Sequence, residues 1–200
     1  MDTLADRSLG QLLEQVAAES PSPGGGSSCA LACALAAGLA EMAAGFTLAR
    51  DEYAERHERM AALRARAGEL RSRALELAEE ELHVYEAVLD ALREPEAAPG
   101  RAQRLDAALS DAADSPLAVA RAAAEVAELA AETARTGNRN LRGDAVAGAL
   151  LAEAACTAAA RLADINLAGR TSDPRRDEAS ELPARALQAR LMALSSTREV

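Results

Sequence analysis

Between Ser20 and Ser28 the chain reads Ser-Pro-Ser-Pro-Gly-Gly-Gly-Ser-Ser, and from Cys29 to Ala49 it continues in small and apolar residues with Glu41 as the one charge. Pro21 and Pro23 end any helix before them. Gly24, Gly25 and Gly26 then admit backbone angles with φ > 0 that other residues exclude, and Ser27 or Ser28 is suited to cap the helix that follows. The pattern predicts a helix N-terminus whose free N–H groups face a loop without side chains. Such a shape suits an anion or a flat polar ligand, and it serves equally as a tight turn between helices. Ala30, Ala34 and Gly38, with Ala36, Ala40 and Ala44 on a neighbouring line, let another helix approach closely.

Alanine makes up about a quarter of the 200 residues, while aromatics are only 2%. Alanine has the best helix propensity but fills little volume, so helices must come close together to bury area. One all-helical domain with a real core fits this length. The expectation is an all-α, single-domain bundle of about six or seven helices, one of them long, whose remaining small-residue faces are hidden in a homodimer.

The punctuation places the elements. A first helix runs from about Ser8 to Ala18, with Leu9, Leu12, Leu13 and Val16 on one face. The second follows the glycines and ends near Leu48. A third stretch covers about Asp51 to Leu92, striped by Met60, Leu63, Leu70, Leu77, Tyr85, Val88 and Leu89, and is long enough to bend or break. Pro95 and Pro99 mark a loop from Arg93 to Gly100, followed by a modest helix over about Arg101 to Ala113. Ser115-Pro116 reads as N-cap and first helical residue of a helix reaching about Arg135. Thr136-Gly137-Asn138-Arg139-Asn140 stops it. Further helices span about Asp144 to Ala168 and Ala179 to Leu194, separated by a polar turn. No stretch alternates with the period of a strand.

All 22 basic residues are arginine, and 32 acids set the net charge at −10. That balance disfavours nucleic acid and a membrane surface as partners. Cys29 to Ala49 is the candidate membrane span, but Glu41 near its centre favours a buried helix. No secretory signal pattern opens the sequence, and three cysteines make no disulfide framework. A cytoplasmic location is expected. His57 and His83 lack the spacing of a zinc site, so no metal ligand set is predicted.

Pro21-Ser22-Pro23-Gly24-Gly25-Gly26-Ser27 resembles the Pro-x-Pro-Gly-Gly-Gly opening of the cyclodeaminase/cyclohydrolase family, and the match runs without a gap through Thr47 and Tyr53. Tyr85-Glu86-Ala87 stands where that family has a Phe-Asp-Ala-type step. Pro116-Leu117 matches its Pro-Leu helix start, Gly137-Asn138 with Asn140 its Gly-Asn-x-Asn turn, and Asp144 and Asn166 two later polar positions. The order is kept along nearly the whole chain.

The resemblance implies chemistry on the one-carbon bridge of folate, with the folate as substrate and no separate cofactor. A cyclohydrolase adds water to 5,10-methenyltetrahydrofolate and opens it to 10-formyltetrahydrofolate; a cyclodeaminase expels ammonia from the formimino form. The family's acid lies four residues before the aromatic, which makes Glu81 the implied catalytic residue. A plain solvated acid run, Glu79-Glu80-Glu81, is the alternative. Pro23, Gly24, Gly25, Gly26, Ser27, Thr47, Arg50, Tyr53, Asn138, Asn140, Asp144 and Asn166 are the implied substrate contacts. Asn138, Asn140 and Asp144 also suit ordinary helix-cap work. The family's basic cluster after Thr47 is here Leu48-Ala49-Arg50-Asp51-Glu52. Gly45 and Leu162 replace family asparagines, Glu41 a small residue and Gly143 a serine. These losses also fit a non-catalytic folate-binding or structural dimeric relative.

Overall fold

The computed structural model describes residues 3–196, which form α1 (Leu9–Ala17), α2 (Gly25–Leu48), α3 (His57–Val84), α4 (Glu86–Arg93), α5 (Arg101–Asp111), α6 (Asp114–Thr136), α7 (Arg142–Asn166) and α8 (Pro174–Ser195), with short 3₁₀ turns at Leu4–Asp6, Asp51–Arg56 and Arg139–Leu141. Among the described residues there is no strand. α2 packs against α3 on one side and α7 on the other, α6 lies behind α2, and α8 closes over α6 and α7.

Small residues set the spacing of this bundle. Ala30, Cys33, Ala36, Ala37, Ala40 and Ala44 of α2 are fully or nearly fully buried, as are Ala123, Ala127 and Ala130 of α6 and Ala149, Ala152 and Ala159 of α7. At Gly148 a Cβ would come within 3.1 Å of the Ala36 carbonyl oxygen, so glycine sets the approach of α7 to α2. α2 and α3 run antiparallel in strict register. Gly38 faces the Arg71 stem, Gly68 the Glu41 carboxyl and Gly45 the Arg64 guanidinium. Glu41, the lone charge of α2, is paired with Arg71 at 2.9 Å.

α2 and the stretch Arg139–Asn166 are each long and apolar enough to cross a bilayer, yet 44% and 50% of their most apolar windows lie inside the bundle. The α2 face turned away from it carries exposed Leu35, Met42 and Phe46, beside exposed Leu150 and Leu151 of α7.

Several local expectations are corrected. α2 starts inside the triple glycine, with Gly24 as N-cap, so neither Ser27 nor Ser28 caps it. Ser27 is buried, its hydroxyl donating to the Ala78 carbonyl at 3.0 Å, and that tertiary bond outweighs glycine's weak propensity at the helix start. Nor does any of the three glycines take φ > 0; among the described residues only Gly100 does, at 75°. The long third stretch breaks twice. It opens as a 3₁₀ turn, in which Tyr53 leaves helical geometry, and Tyr85 interrupts it again between α3 and α4. α6 begins one residue before Ser115, with Ala113 in the cap position. α7 runs Arg142–Asn166 and α8 starts at Pro174, capped by Asp173. The apolar face expected to bury α1 stays largely exposed: Leu9 is 70% and Leu13 59% accessible. Leu12 alone of that stripe packs against the core.

Candidate active site

One end of the bundle opens into a cleft of about 230 Å³. Gly24, Gly25 and Gly26 enter it from the start of α2, Glu81, Val84 and Tyr85 from the end of α3, Pro116 from the start of α6, and Leu162, Ile165 and Asn166 from the end of α7. No cation is among the described residues that line it.

The acid run resolves by helical phase. Successive residues of an α-helix point about 100° apart, and each of the three acids meets a different neighbour. Glu79 accepts from the Leu4 N–H at 2.7 Å, and Glu80 pairs with Arg73 at 2.7 Å. Glu81 turns inward. Its carboxyl lies directly over Gly26, where a Cβ would fall 1.7 Å from Oε2. Glycine is therefore required there for the missing side chain rather than for an unusual backbone angle. Glu81 Oε1 is shut off from solvent and makes no hydrogen bond. Burial pushes this carboxyl up from the ordinary glutamate range; the nearby Ser115 hydroxyl opposes the shift and Glu80 adds to it. Cys29, one helical turn beyond Gly25, has its thiol pushed up by burial and further by Glu81.

Asn166 donates its amide to the Ala112 carbonyl at 2.9 Å, which leaves its Oδ1 as an acceptor on the cleft wall. Tyr85, 40% exposed, sets an aromatic ring at the mouth. Of the expected contacts, the structure gathers Gly24, Gly25, Gly26, Glu81 and Asn166 here. Pro23 is buried outside the lining, and Ser27 is committed to Ala78.

The other expected residues stand at the opposite end of α2, roughly 30 Å away at 1.5 Å per residue. Thr47 is fully buried; its hydroxyl donates to the Ala43 carbonyl at 2.8 Å and accepts from the Asn138 N–H at 2.8 Å. Asn138 Oδ1 accepts from the Asn140 N–H at 3.0 Å, and the Tyr53 hydroxyl accepts from the Arg139 N–H at 3.2 Å. Gly137 is needed here too, because a Cβ would come within 2.9 Å of Thr47 Oγ1. Arg50 lies just beyond α2, and Asp144 is in the first turn of α7. These residues do not join Glu81. Thr47, Tyr53 and Asn138 hold the turn between α6 and α7 in place.

In the sequence Ser115 has the pattern of a helix cap, and Val84, Ala112 and Ile165 have apolar side chains that carry no chemical signal. The Ser-Pro step at the start of α6 was the available hint.

A family model described as formiminotransferase-cyclodeaminase matches residues 8–182. The chain belongs to that family. A methenyltetrahydrofolate cyclohydrolase of Methylorubrum extorquens is 29% identical over 161 residues, which span 78% of this chain and 77% of that one. The crystal structure of a formiminotetrahydrofolate cyclodeaminase from Thermotoga maritima superimposes with a TM-score of 0.86 at 27% identity, covering 96% of each chain. Those two relatives carry different activities in their names, so likeness to them does not choose between the activities.

Proposed function

We propose that this chain is a folate one-carbon enzyme that hydrolyses 5,10-methenyltetrahydrofolate to 10-formyltetrahydrofolate. One observation carries the reading: the Glu81 carboxyl is held against bare backbone in a cleft that no cation lines. The N5–CH–N10 bridge of the substrate is a flat, delocalised cation, which such a cleft attracts. Tyr85 offers its ring as a platform at the mouth, and Asn166 Oδ1 accepts from a ring N–H.

Glu81 in its charged form takes a proton from water as the oxygen bonds to the bridge carbon and the C=N electron pair moves onto nitrogen. It returns that proton to N5 as the C–N5 bond opens, and the hydroxyl proton leaves to solvent as the formyl C=O forms. One proton is released overall. A carboxyl pushed up by burial is a better proton acceptor than an exposed one. Because the charged form is the working one, the rate falls as pH drops through the raised pKa.

Likeness to the Thermotoga maritima protein favours a second reading, in which N10 attacks a formimino carbon and Glu81 gives the proton that lets ammonia leave. Two assays separate the readings: near-ultraviolet absorbance of 5,10-methenyltetrahydrofolate, and ammonia release from 5-formiminotetrahydrofolate. If neither is accelerated over buffer and Glu81→Gln behaves as wild type, the chain is a non-catalytic relative.

The same reading includes a homodimer. Leu35, Met42 and Phe46 of α2 and Leu150 and Leu151 of α7 form an exposed apolar face of the kind that marks an interface. A two-fold axis crossing α2 near its middle sets the Thr47 end of one subunit beside the glycine end of the other. Arg50 would then stand near the cleft of the neighbouring subunit.

A further inference from the structure

Among the described residues two buried side-chain oxygens have no hydrogen-bond partner: Glu81 Oε1 and Ser115 Oγ. Ser115 is only 9% exposed and is the second residue of α6, next to Pro116 in the cleft wall. It does not act as a cap. Nor does it bond back to a carbonyl of its own helix, the ordinary resort of a helical hydroxyl. Ser28, Thr47, Thr133 and Thr136 all do so, to Gly24, Ala43, Leu129 and Glu132. A native buried hydroxyl left without a partner calls for a specific reason, and here the other unpaired oxygen belongs to Glu81, the carboxyl on which the Ser115 hydroxyl acts.

We propose that Ser115 is the positioning residue for Glu81, its hydroxyl donating to Oε1 while the group is a carboxylate and accepting from it while the group is a carboxylic acid. Serine suits this because a hydroxyl is both donor and acceptor and can rotate between the two. Oε2 is seated on Gly26, so the Ser115 contact fixes the second oxygen and hence the plane of the carboxyl. The pair keeps its aim through both halves of a proton cycle. This rests on reading Glu81 as the proton-transfer group.

The other groups facing Glu81 are few. Glu80 is on its own helix, and Cys29 comes from α2. Tyr85 lines the cleft from the α3–α4 break, and the cleft residues of α6 and α7 carry no charge. Asp114, beside Ser115 in sequence, is paired with Arg175 at 2.7 Å. Removing the Ser115 hydroxyl therefore acts on Glu81 without releasing a competing cation.

The test uses the ligand-free protein first. Carboxyl-carbon NMR follows the titration of Glu81, assigned by its loss in Glu81→Gln. Ser115→Ala should move that titration to higher pH, since a donor to the charged form is lost, and Ser115→Thr should bring it back. With 5,10-methenyltetrahydrofolate, Ser115→Ala should lower kcat about 10- to 100-fold, the worth of a hydrogen bond to a charged group. KM should hardly change, and the acid limb of the pH–rate profile should move up in step with the titration. An unmoved titration in Ser115→Ala overturns the proposal whatever the activity. A moved titration in a protein that turns over no folate keeps the Ser115–Glu81 pair and removes the enzymatic reading instead.

Discussion

Gly26→Ala tests the contact on which the site depends. A Cβ there would fall 1.7 Å from Glu81 Oε2 and 2.4 Å from its Cδ, whereas ordinary contact begins at 3.4 Å. The carboxyl must retreat by the difference, about 1.7 Å, while the surrounding backbone stays in place because Ser27 anchors α2 to α3. A displacement near 1 Å at a reacting group costs about 10²-fold in rate, so turnover should fall at least 100-fold. The fold should barely respond. Replacing glycine in a helix gains about 0.5–1 kcal/mol, and forcing the glutamate off its preferred rotamer costs about as much. Methenyl absorbance at saturating substrate gives the rate and thermal unfolding the stability. Gly10→Ala is the control, because nothing lies within 4 Å of a Cβ at that position. If Gly26→Ala folds and turns over within threefold of wild type, the seat of the carboxyl on bare backbone is not what catalysis needs.

Glu81→Gln should abolish turnover and raise the melting temperature at neutral pH. Glu81 has a raised folded-state pKa, so its contribution to stability is present below the unfolded value near 4.5 and is lost as pH rises through the folded one; the melting gap between variant and wild type should close on acidification toward that value. Thr47→Val removes the acceptor for the buried Asn138 N–H, which should destabilise by about 1–3 kcal/mol. The melting point should then fall about 2–4 °C per kcal/mol in a chain of this size. Leu35→Glu places a charge on an α2 side chain that is 67% exposed in the single subunit, and sedimentation at micromolar concentration should show a monomer where the wild type is a dimer. A wild-type chain that sediments as a monomer refutes the pairing.

Punctuation in the sequence located the helices because proline, glycine and asparagine act through local backbone geometry. The loop at Pro95–Gly100 and the stop at Gly137–Asn138 are such cases, and Gly100 does take the left-handed backbone that only glycine accepts easily. The triple glycine does not follow that rule. Its backbone angles are ordinary, and the demand at Gly26 comes from Glu81, a residue far along the chain whose carboxyl needs the space. No local rule expresses that. The hydroxyls and amides were legible as hydrogen-bonding groups but not as to partner: the Thr47 hydroxyl accepts from the Asn138 backbone N–H and the Asn138 side chain from the Asn140 N–H, whereas Ser115 has no partner in its own helix. Family resemblance picked Glu81 from three adjacent acids, and helix geometry explains why it stands apart. Leu4 takes Glu79 and Arg73 takes Glu80, so the third carboxylate is the one left to face the cleft. The departures from the family pattern divide in the same way. Glu41 has found Arg71 across the α2–α3 seam, and Gly45 faces Arg64 at ordinary contact distance, so both replacements lie against α3 cations and outside the cleft. Leu162 stands in the cleft itself, against Gly25. Of these replacements it is the one that removes a polar partner where the proposed substrate would lie, which makes position 162 the place where substrate choice should diverge from the family's.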